Sequence, residues 1–163
     1  MEFDEKSLFS KIEEAERLHK ASEHLVVVSY PFVKDSKLLL RALDSLFNSI
    51  NLSIGAILSF ESFYKRANEG NNFRENLSIF LNKCALRYGL SIEEQEMLKK
   101  IFILKQKHEE SGFEFSRKGK IIMLDDSLGF SQLEPEVMKN FLKISKKVLT
   151  TSTLRFNDVF RKV

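Results

Sequence analysis

Few residues of this chain can support disulfide, metal or cofactor chemistry. Its 163 residues include one cysteine, three histidines and no tryptophan. A single cysteine, Cys84, excludes an intramolecular disulfide, and the scattered histidines do not provide the ligand spacing of a zinc site. The sequence also has no glycine-rich phosphate loop of the GxGxxG or Walker type. We therefore expect no metal and no cofactor, and we expect Cys84, which lies among apolar residues at helical spacing, to be buried.

The chain also has no apolar run of the roughly 18 residues that cross a membrane. Three acidic residues, Glu2, Asp4 and Glu5, follow Met1, where a secretory signal would begin with basic residues. These two features predict a cytoplasmic protein that does not insert into a membrane. A length of 163 residues predicts one domain, residues 1–163. The net charge of +3 is too small by itself to indicate nucleic-acid binding.

Apolar residues recur every three or four positions over most of the chain. This period predicts a mainly α protein, an antiparallel bundle of about five helices. The first helix is expected over about 4–28, and Pro31 should end it. Asparagines at 71–72 can cap the third helix, and Ser91 with Glu94 fits the capping box at the start of the fourth.

The second predicted helix begins at Asp35 or Ser36 and continues for about eight turns to Tyr64. We expect its internal glycine, Gly55, either to allow close approach of a neighbouring helix or to mark a bend. Its apolar residues spread wider than one packing stripe requires, and they include Leu38, Leu39, Leu40, Leu46, Phe47, Phe60, Phe63 and Tyr64. This surplus indicates either a surface for a partner or a central helix that is buried within one chain.

The end of the chain supports two alternatives. Pro135 suits the first turn of a fifth helix. The Thr-Thr-Ser-Thr run at 150–153 weakens helix propensity. Residues 150–163 are therefore expected to form a short terminal helix or a segment that docks on a partner.

One stretch departs from the helical pattern and predicts a short β-hairpin at about 113–124. If Lys118 and Gly119 form a two-residue turn, Arg117 pairs with Lys120. The same register predicts that four apolar side chains share one face, which should dock on the helices: Phe113, Phe115, Ile122 and Leu124.

Basic residues cluster at this turn and again in the last helix. Arg117, Lys118 and Lys120 repel one another unless an anion or a partner lies beside them, so we take them as binding candidates. The second basic group supplies three more candidates: Lys143, Lys146 and Lys147. Because the first helix is acidic, the two ends of the chain could pair within one molecule or between two molecules; alternatively, they are two solvated surfaces.

His108 is the candidate catalytic residue, because it lies at the end of the fourth helix beside Glu109 and Glu110 and just before the hairpin. A histidine there could act as an acid or a base. The carbonyl groups at a helix C-terminus also stabilise a histidine, which gives it a purely structural role. His19 and His24, five positions apart on the first helix, lack the spacing of metal ligands and are expected at the surface or its boundary.

Long antiparallel helices with a polar, histidine-bearing stretch late in the chain resemble the HEPN superfamily. That resemblance implies a helical bundle, homodimerisation and RNA cleavage. The family signature is an arginine, four to six intervening residues and a histidine. Residues 101–103, where the arginine before His108 would stand, are Ile-Phe-Ile, whereas Arg17 and His24 have the spacing on the first helix. Residues 108–118 are also similar to small uncharacterised archaeal proteins, which implies no activity.

These observations lead to two functional hypotheses. The first is a non-enzymatic helical-bundle interaction protein, a homodimer or a subunit of an assembly, which binds through the second helix or the segment 154–160. The alternative is an RNA-binding or RNA-cleaving HEPN-like domain. That domain would use the basic hairpin and the basic face of the last helix, with His108 as an acid or base.

Overall fold

The structure, a computed structural model, describes residues 3–111, 113–124 and 129–161. Over these ranges five helices pack with a small antiparallel sheet of three strands. The helices are α1 (Glu5–His24), α2 (Lys37–Phe63), α3 (Phe73–Lys83), α4 (Ile92–Glu110) and α5 (Pro135–Phe160), and the strands are β1 (Phe113–Arg117), β2 (Lys120–Leu124) and β3 (Phe130–Leu133). The predicted mainly α fold with a short hairpin is confirmed, and the sequence did not reveal β3.

Helix α2 lies at the centre of the bundle and contacts the other four helices. Leu43, Ile54 and Ile57 are each 0 % exposed, and burial of such a side chain contributes about 1.5–3 kcal/mol. Most of the apolar residues of α2 are therefore packed within one chain. By length and composition α2 could cross a membrane, and no other helix among the described residues could. In this structure 56 % of the most apolar window of α2 is buried in the bundle.

Two details of α2 differ from the prediction. A Cβ built on Gly55 has no atom within 4 Å apart from its own helix and chain neighbours, so close approach of a neighbouring helix is not the reason for this glycine. Tyr64, the last residue of the predicted helix, lies at the C-terminal cap and is 39 % exposed. The inward stripe ends at Phe60 and Glu61.

The helical segment that begins with α1 is longer than predicted. A π-helical turn, Leu25–Ser29, follows α1 and leads directly into one α-helical turn, Tyr30–Val33. Pro31 lies in the first turn of that short helix, where its missing N–H is tolerated, so the prediction that Pro31 ends the helix is wrong. The chain then reverses at Lys34, which has a φ of 55°.

The helix starts follow the predicted caps. The Asn72 side chain accepts from the backbone N–H of Glu75, and Ser91 and Glu94 form the full capping box. Helix α5 continues without a break through 150–153, and Phe156 is 0 % exposed, so residues 150–160 belong to one long helix and pack on their own chain. Burial of this helix face outweighs the weak propensity of the threonines.

The hairpin register is confirmed, with Phe115 opposite Ile122 and Arg117 opposite Lys120. The predicted docking face is wrong: Ile121 and Met123 are buried at 3 % and 1 % exposure, whereas Phe115, Ile122 and Leu124 are half-buried. The side chain of Phe113 lies outside the described residues. β3 explains the inversion, because its Leu133 pairs with Ile121 and is 0 % exposed, which extends the apolar face that packs on the helices.

Candidate functional site

His108 lies where α4 meets the sheet, and it is held by carboxylates. Its Nδ1 is 2.7 Å from Oε1 of Glu114 on β1. Its Nε2 is 3.9 Å from Oδ1 of Asp44 on α2, which is too long for a hydrogen bond. Asp44 in turn accepts a hydrogen bond of 2.6 Å from Nζ of Lys105. This network joins α2, α4 and β1, so His108 contributes to the contact between the sheet and the helices.

Ser111, which follows α4, and Arg117 of the basic turn have different surroundings from His108. Ser111 donates to the carbonyl of Leu124 at 3.3 Å. Arg117 is at the far end of β1, three residues from Glu114, or about 10 Å along an extended strand. The three residues His108, Ser111 and Arg117 therefore do not form one catalytic group.

The arginine and histidine with the HEPN spacing also occupy separate surroundings. Arg17 is exposed and donates to the Glu14 carboxylate three residues earlier. His24 lines an open cleft of about 520 Å³ together with Arg41 and Asp44. Arg17 is not among the residues that line this cleft.

The basic turn of the hairpin is fixed to the segment that connects α1 to α2. The Tyr30 hydroxyl donates to the carbonyl of Gly119 at 3.2 Å. The hydroxyls of Ser36 and Ser116 are 2.7 Å apart. Lys118 and Gly119 have φ angles of 51° and 77°, which are typical of a two-residue hairpin turn. The turn therefore has a fixed position beside the end of the first helical segment.

The segment that Tyr30 links to this turn carries exposed apolar residues. Val27, Val28, Phe32 and Val33 are 52 %, 43 %, 86 % and 64 % exposed. Lys34, Arg117 and Lys118 are exposed too, and none of these three cations has an ion pair within the described part of the chain. We call these seven side chains the tip surface: Val27, Val28, Phe32, Val33, Lys34, Arg117 and Lys118. Exposed apolar residues grouped in one short segment are a candidate interaction site.

The other predicted basic residues are divided among different surroundings. Lys120 forms an ion pair of 3.4 Å with Glu134. Lys147 forms one of 2.7 Å with Glu94, the capping-box glutamate of α4. Lys143 and Lys146 are exposed on α5. The predicted basic surface of α5 is therefore partly neutralised within the chain.

His19 was expected at the surface or its boundary, but it is buried, with 6 % exposure. Its Nδ1 is 3.0 Å from the hydroxyl of Ser145 on α5, and its Nε2 is 3.3 Å from Oε2 of Glu23. Burial lowers the pKa of His19, and the nearby carboxylate of Glu23 opposes that effect only in part. His19 and Lys146 line a groove of about 310 Å³ between α1 and α5. His24, in contrast, is exposed as expected.

A second charged cluster was missed by the sequence analysis. Glu61 on α2 is 0 % exposed, and three guanidinium groups surround its carboxylate: Arg66, Arg87 and Arg155. The hydroxyl of Tyr88 donates to Oε1 at 2.9 Å. Glu61 lies seven residues after Ile54, so the two residues share one face of α2. This spacing is the feature of the sequence that could have indicated a buried carboxylate.

The electrostatics of this cluster favour a charged Glu61. Burial alone would raise the pKa of Glu61, but hydrogen bonds from Arg66 and Tyr88 and the charge of Arg87 outweigh burial and lower it. Burial and the neighbouring Glu61 charge raise the pKa of Tyr88. Cys84 is confirmed as buried, at 1 % exposure, and burial raises the pKa of its thiol. Three arginines beside one carboxylate leave a net charge of about +2.

The described residues contain no group of three or more His, Cys, Asp or Glu side chains that could hold a metal ion. Comparisons with protein-family models, curated proteins and solved structures find no match for this chain. The geometry of the sites above therefore carries the functional argument alone.

Proposed function

We propose that this protein is a non-enzymatic interaction protein that forms a homodimer through the tip surface. The observation that carries the proposal is the exposure of Phe32, at 86 %, two residues after Tyr30, whose hydroxyl contacts the basic turn. Burial of apolar surface drives most protein association, and aromatic residues are common centres of binding energy. The hydrogen bond of Tyr30 links the basic turn to the segment that carries Phe32.

A second copy supplies the complementary charge. Asp4 and Glu5 are exposed at the opposite end of α1, and Glu13 is exposed near its middle. α1 has 20 residues, so about 30 Å separates its two ends. Two copies placed antiparallel along α1 bring the acidic end of each copy to the tip surface of the other. Such an arrangement has two-fold symmetry, and both contacts are identical.

The surroundings of His108 support a structural role. One ring nitrogen is within hydrogen-bonding distance of Glu114, and Asp44 is the nearest charged partner of the other. Two carboxylates repel a phosphodiester, so this environment does not favour RNA cleavage at His108. RNA binding by the hairpin and α5 stays a prediction, and no specific contact favours it over association of two copies.

Sedimentation equilibrium of the full chain tests the proposal. At micromolar concentration the parent protein should sediment with the mass of a dimer, and Phe32→Ser should shift the equilibrium toward the monomer by at least about tenfold in dissociation constant. Phe32 is largely exposed, so the substitution should leave the fold intact. The far-ultraviolet circular dichroism spectrum checks this.

Leu86→Ser is the matched control, because Leu86 is 77 % exposed but is not part of the tip surface. This variant should dimerise like the parent. A parent protein that remains monomeric at high micromolar concentration, or a Leu86→Ser variant that dissociates as readily as Phe32→Ser, would contradict the proposal.

A further inference from the structure

A cleft of about 270 Å³ lies beside the arginine cluster, between the loop after α2 and the end of α3. Three of its lining residues are cations: Lys65, Arg66 and Lys83. No carboxylate lines it, because Glu61 is fully buried behind Arg66. Within the described residues, neither of the two lysines has an ion pair. The cleft therefore carries two lysine charges that have no ion pair in the described part of the chain, beside Arg66.

Arg66 is held in a fixed position with most of its donors unused. Its Nε donates to Oε2 of Glu61, and its guanidinium lies 4.7 Å from the ring centre of Tyr64. Its two terminal nitrogens have no hydrogen-bond partner in the described part of the chain. An arginine fixed through Nε presents the planar pair of N–H groups that binds two oxygens of a phosphate.

Neutral donors complete the cleft. The side chains of Asn68, Ser78 and Asn82 line it beside the cations, with Ala67 and Ile79 as its apolar residues. Ligand pockets range from about 300 to 1,000 Å³, so this cleft, at about 270 Å³, is slightly smaller than that range. Its size suits one phosphate group with a small attached part better than a large organic ligand.

We propose that this cleft is a phosphate-binding site, in which Arg66 contacts two phosphate oxygens and Lys65 and Lys83 supply the remaining positive charge. The phosphate could be the monoester of a small metabolite or the phosphodiester of a nucleic acid, since both present the same oxygens. Glu61 acts as a positioning residue that fixes Arg66 and does not touch the ligand.

Two-dimensional NMR of the full ¹⁵N-labelled chain at low salt tests this site. Three probes are titrated separately: inorganic phosphate, adenosine 5′-monophosphate, and an oligouridine RNA without terminal phosphate. Backbone amides of residues 65–68 and 78–83 should shift with at least one probe. Saturation by the monophosphate but not by the RNA identifies a phosphomonoester ligand, and the reverse identifies a phosphodiester; either result supports the site.

The double variant Lys65→Gln with Lys83→Gln should weaken binding about tenfold or more, because two cations leave the cleft. Both side chains are exposed and neither contacts Glu61, so the fold should be unaffected. Lys6→Gln with Lys100→Gln is the matched control, since it removes the same net charge at exposed positions outside the cleft. Amides that respond to none of the three probes, or equal weakening by the two double variants, would overturn the proposal.

Discussion

The fully buried carboxylate of Glu61 accepts a hydrogen bond from the guanidinium of Arg66, a side chain that is 38 % exposed. This pair connects the core of the bundle to its surface. A charged group inside the core is costly unless opposite charges and hydrogen-bond donors surround it, and here three arginines and a tyrosine do so. The stability of the α2 end therefore depends on one carboxylate.

Glu61→Gln should destabilise the protein by about 3–5 kcal/mol, because it leaves three guanidinium groups near the core without their counter-charge. Urea denaturation monitored by circular dichroism measures this change. Glu93→Gln is the control: Glu93 is exposed, and ordinary surface substitutions change stability by about 0.5 kcal/mol or less. A Glu61→Gln protein as stable as the control would show that the cluster does not stabilise the fold.

A second prediction concerns the face of the sheet that packs on the helices. Met123→Ala should destabilise by about 2–5 kcal/mol, since Met123 is 1 % exposed and its loss leaves a cavity. Phe115→Ala should cost less than Met123→Ala, because Phe115 is only half-buried on the other face of the sheet. Chemical denaturation of both variants decides the order. If Phe115→Ala proves the more damaging of the two, the face predicted from the sequence is the docked one.

The burial of His19 should make the stability of the fold sensitive to acid. Its pKa is lowered in the folded protein, so protonation favours the unfolded chain. This contribution to stability is complete above the unfolded pKa of about 6.5 and is lost as the pH falls below that value toward the folded pKa. The free energy of unfolding should therefore decrease between about pH 6.5 and pH 5.

Replacement of His19 tests the origin of that slope. His19→Gln should flatten the dependence of stability on pH in this window, which lies above the range in which ordinary carboxylates titrate. His24→Gln is the control, because His24 is exposed, and its stability profile should follow that of the parent. Identical profiles for the two variants would mean that His19 does not cause the acid sensitivity.

Replacement by alanine should change the stability of the protein in opposite directions at Gly119 and at Gly55. Gly119 has a φ of 77°, and a Cβ there would lie 3.0 Å from the Tyr30 hydroxyl, so Gly119→Ala should destabilise by about 1–2 kcal/mol. Gly55→Ala should stabilise by about 0.5–1 kcal/mol, because the helix interior at that point has room for a methyl group. Thermal unfolding measures both. A stabilising Gly119→Ala would show that the turn is not held as described.

Local signals in the sequence predicted most of the helical framework. The capping box at Ser91 and the cap at Asn72 depend on residues three positions apart, so the sequence shows both partners. The docked face of the hairpin could not be predicted in the same way. It depends on Leu133, which pairs with Ile121 only after the chain returns as β3, and no local pattern reveals that pairing.

The candidate sites depend even more on long-range contacts. The basic turn at Lys118 was visible because its charges are consecutive, but its apolar neighbour Phe32 is more than eighty residues away in the sequence. The partners of Glu61 lie on three separate segments, so only its helical phase could have indicated a buried carboxylate. His19 was misplaced because its partner, Ser145, is 126 residues away.

Salt provides a test of the charges on the tip surface. Association of exposed opposite charges weakens as ionic strength rises, because the screening length falls from about 10 Å at 0.1 M to about 3 Å at 1 M. Arg117→Ala with Lys118→Ala should weaken dimerisation and reduce its salt dependence. Sedimentation equilibrium at several salt concentrations measures both effects. A dimer that is insensitive to salt and to this double variant would remove the charge pairing from the interface.

The antiparallel arrangement of two copies is tested most directly by paramagnetic broadening between them. A spin label is attached to Ser10→Cys at the acidic end of α1, and this chain is mixed with an unlabelled ¹⁵N parent chain. The native Cys84 is 1 % exposed and therefore protected from labelling. We expect broadening of the amides at 27–30, 32–34 and 117–119 of the ¹⁵N copy. Absence of intermolecular broadening at these residues, in a sample shown to be dimeric, would contradict the proposed dimer.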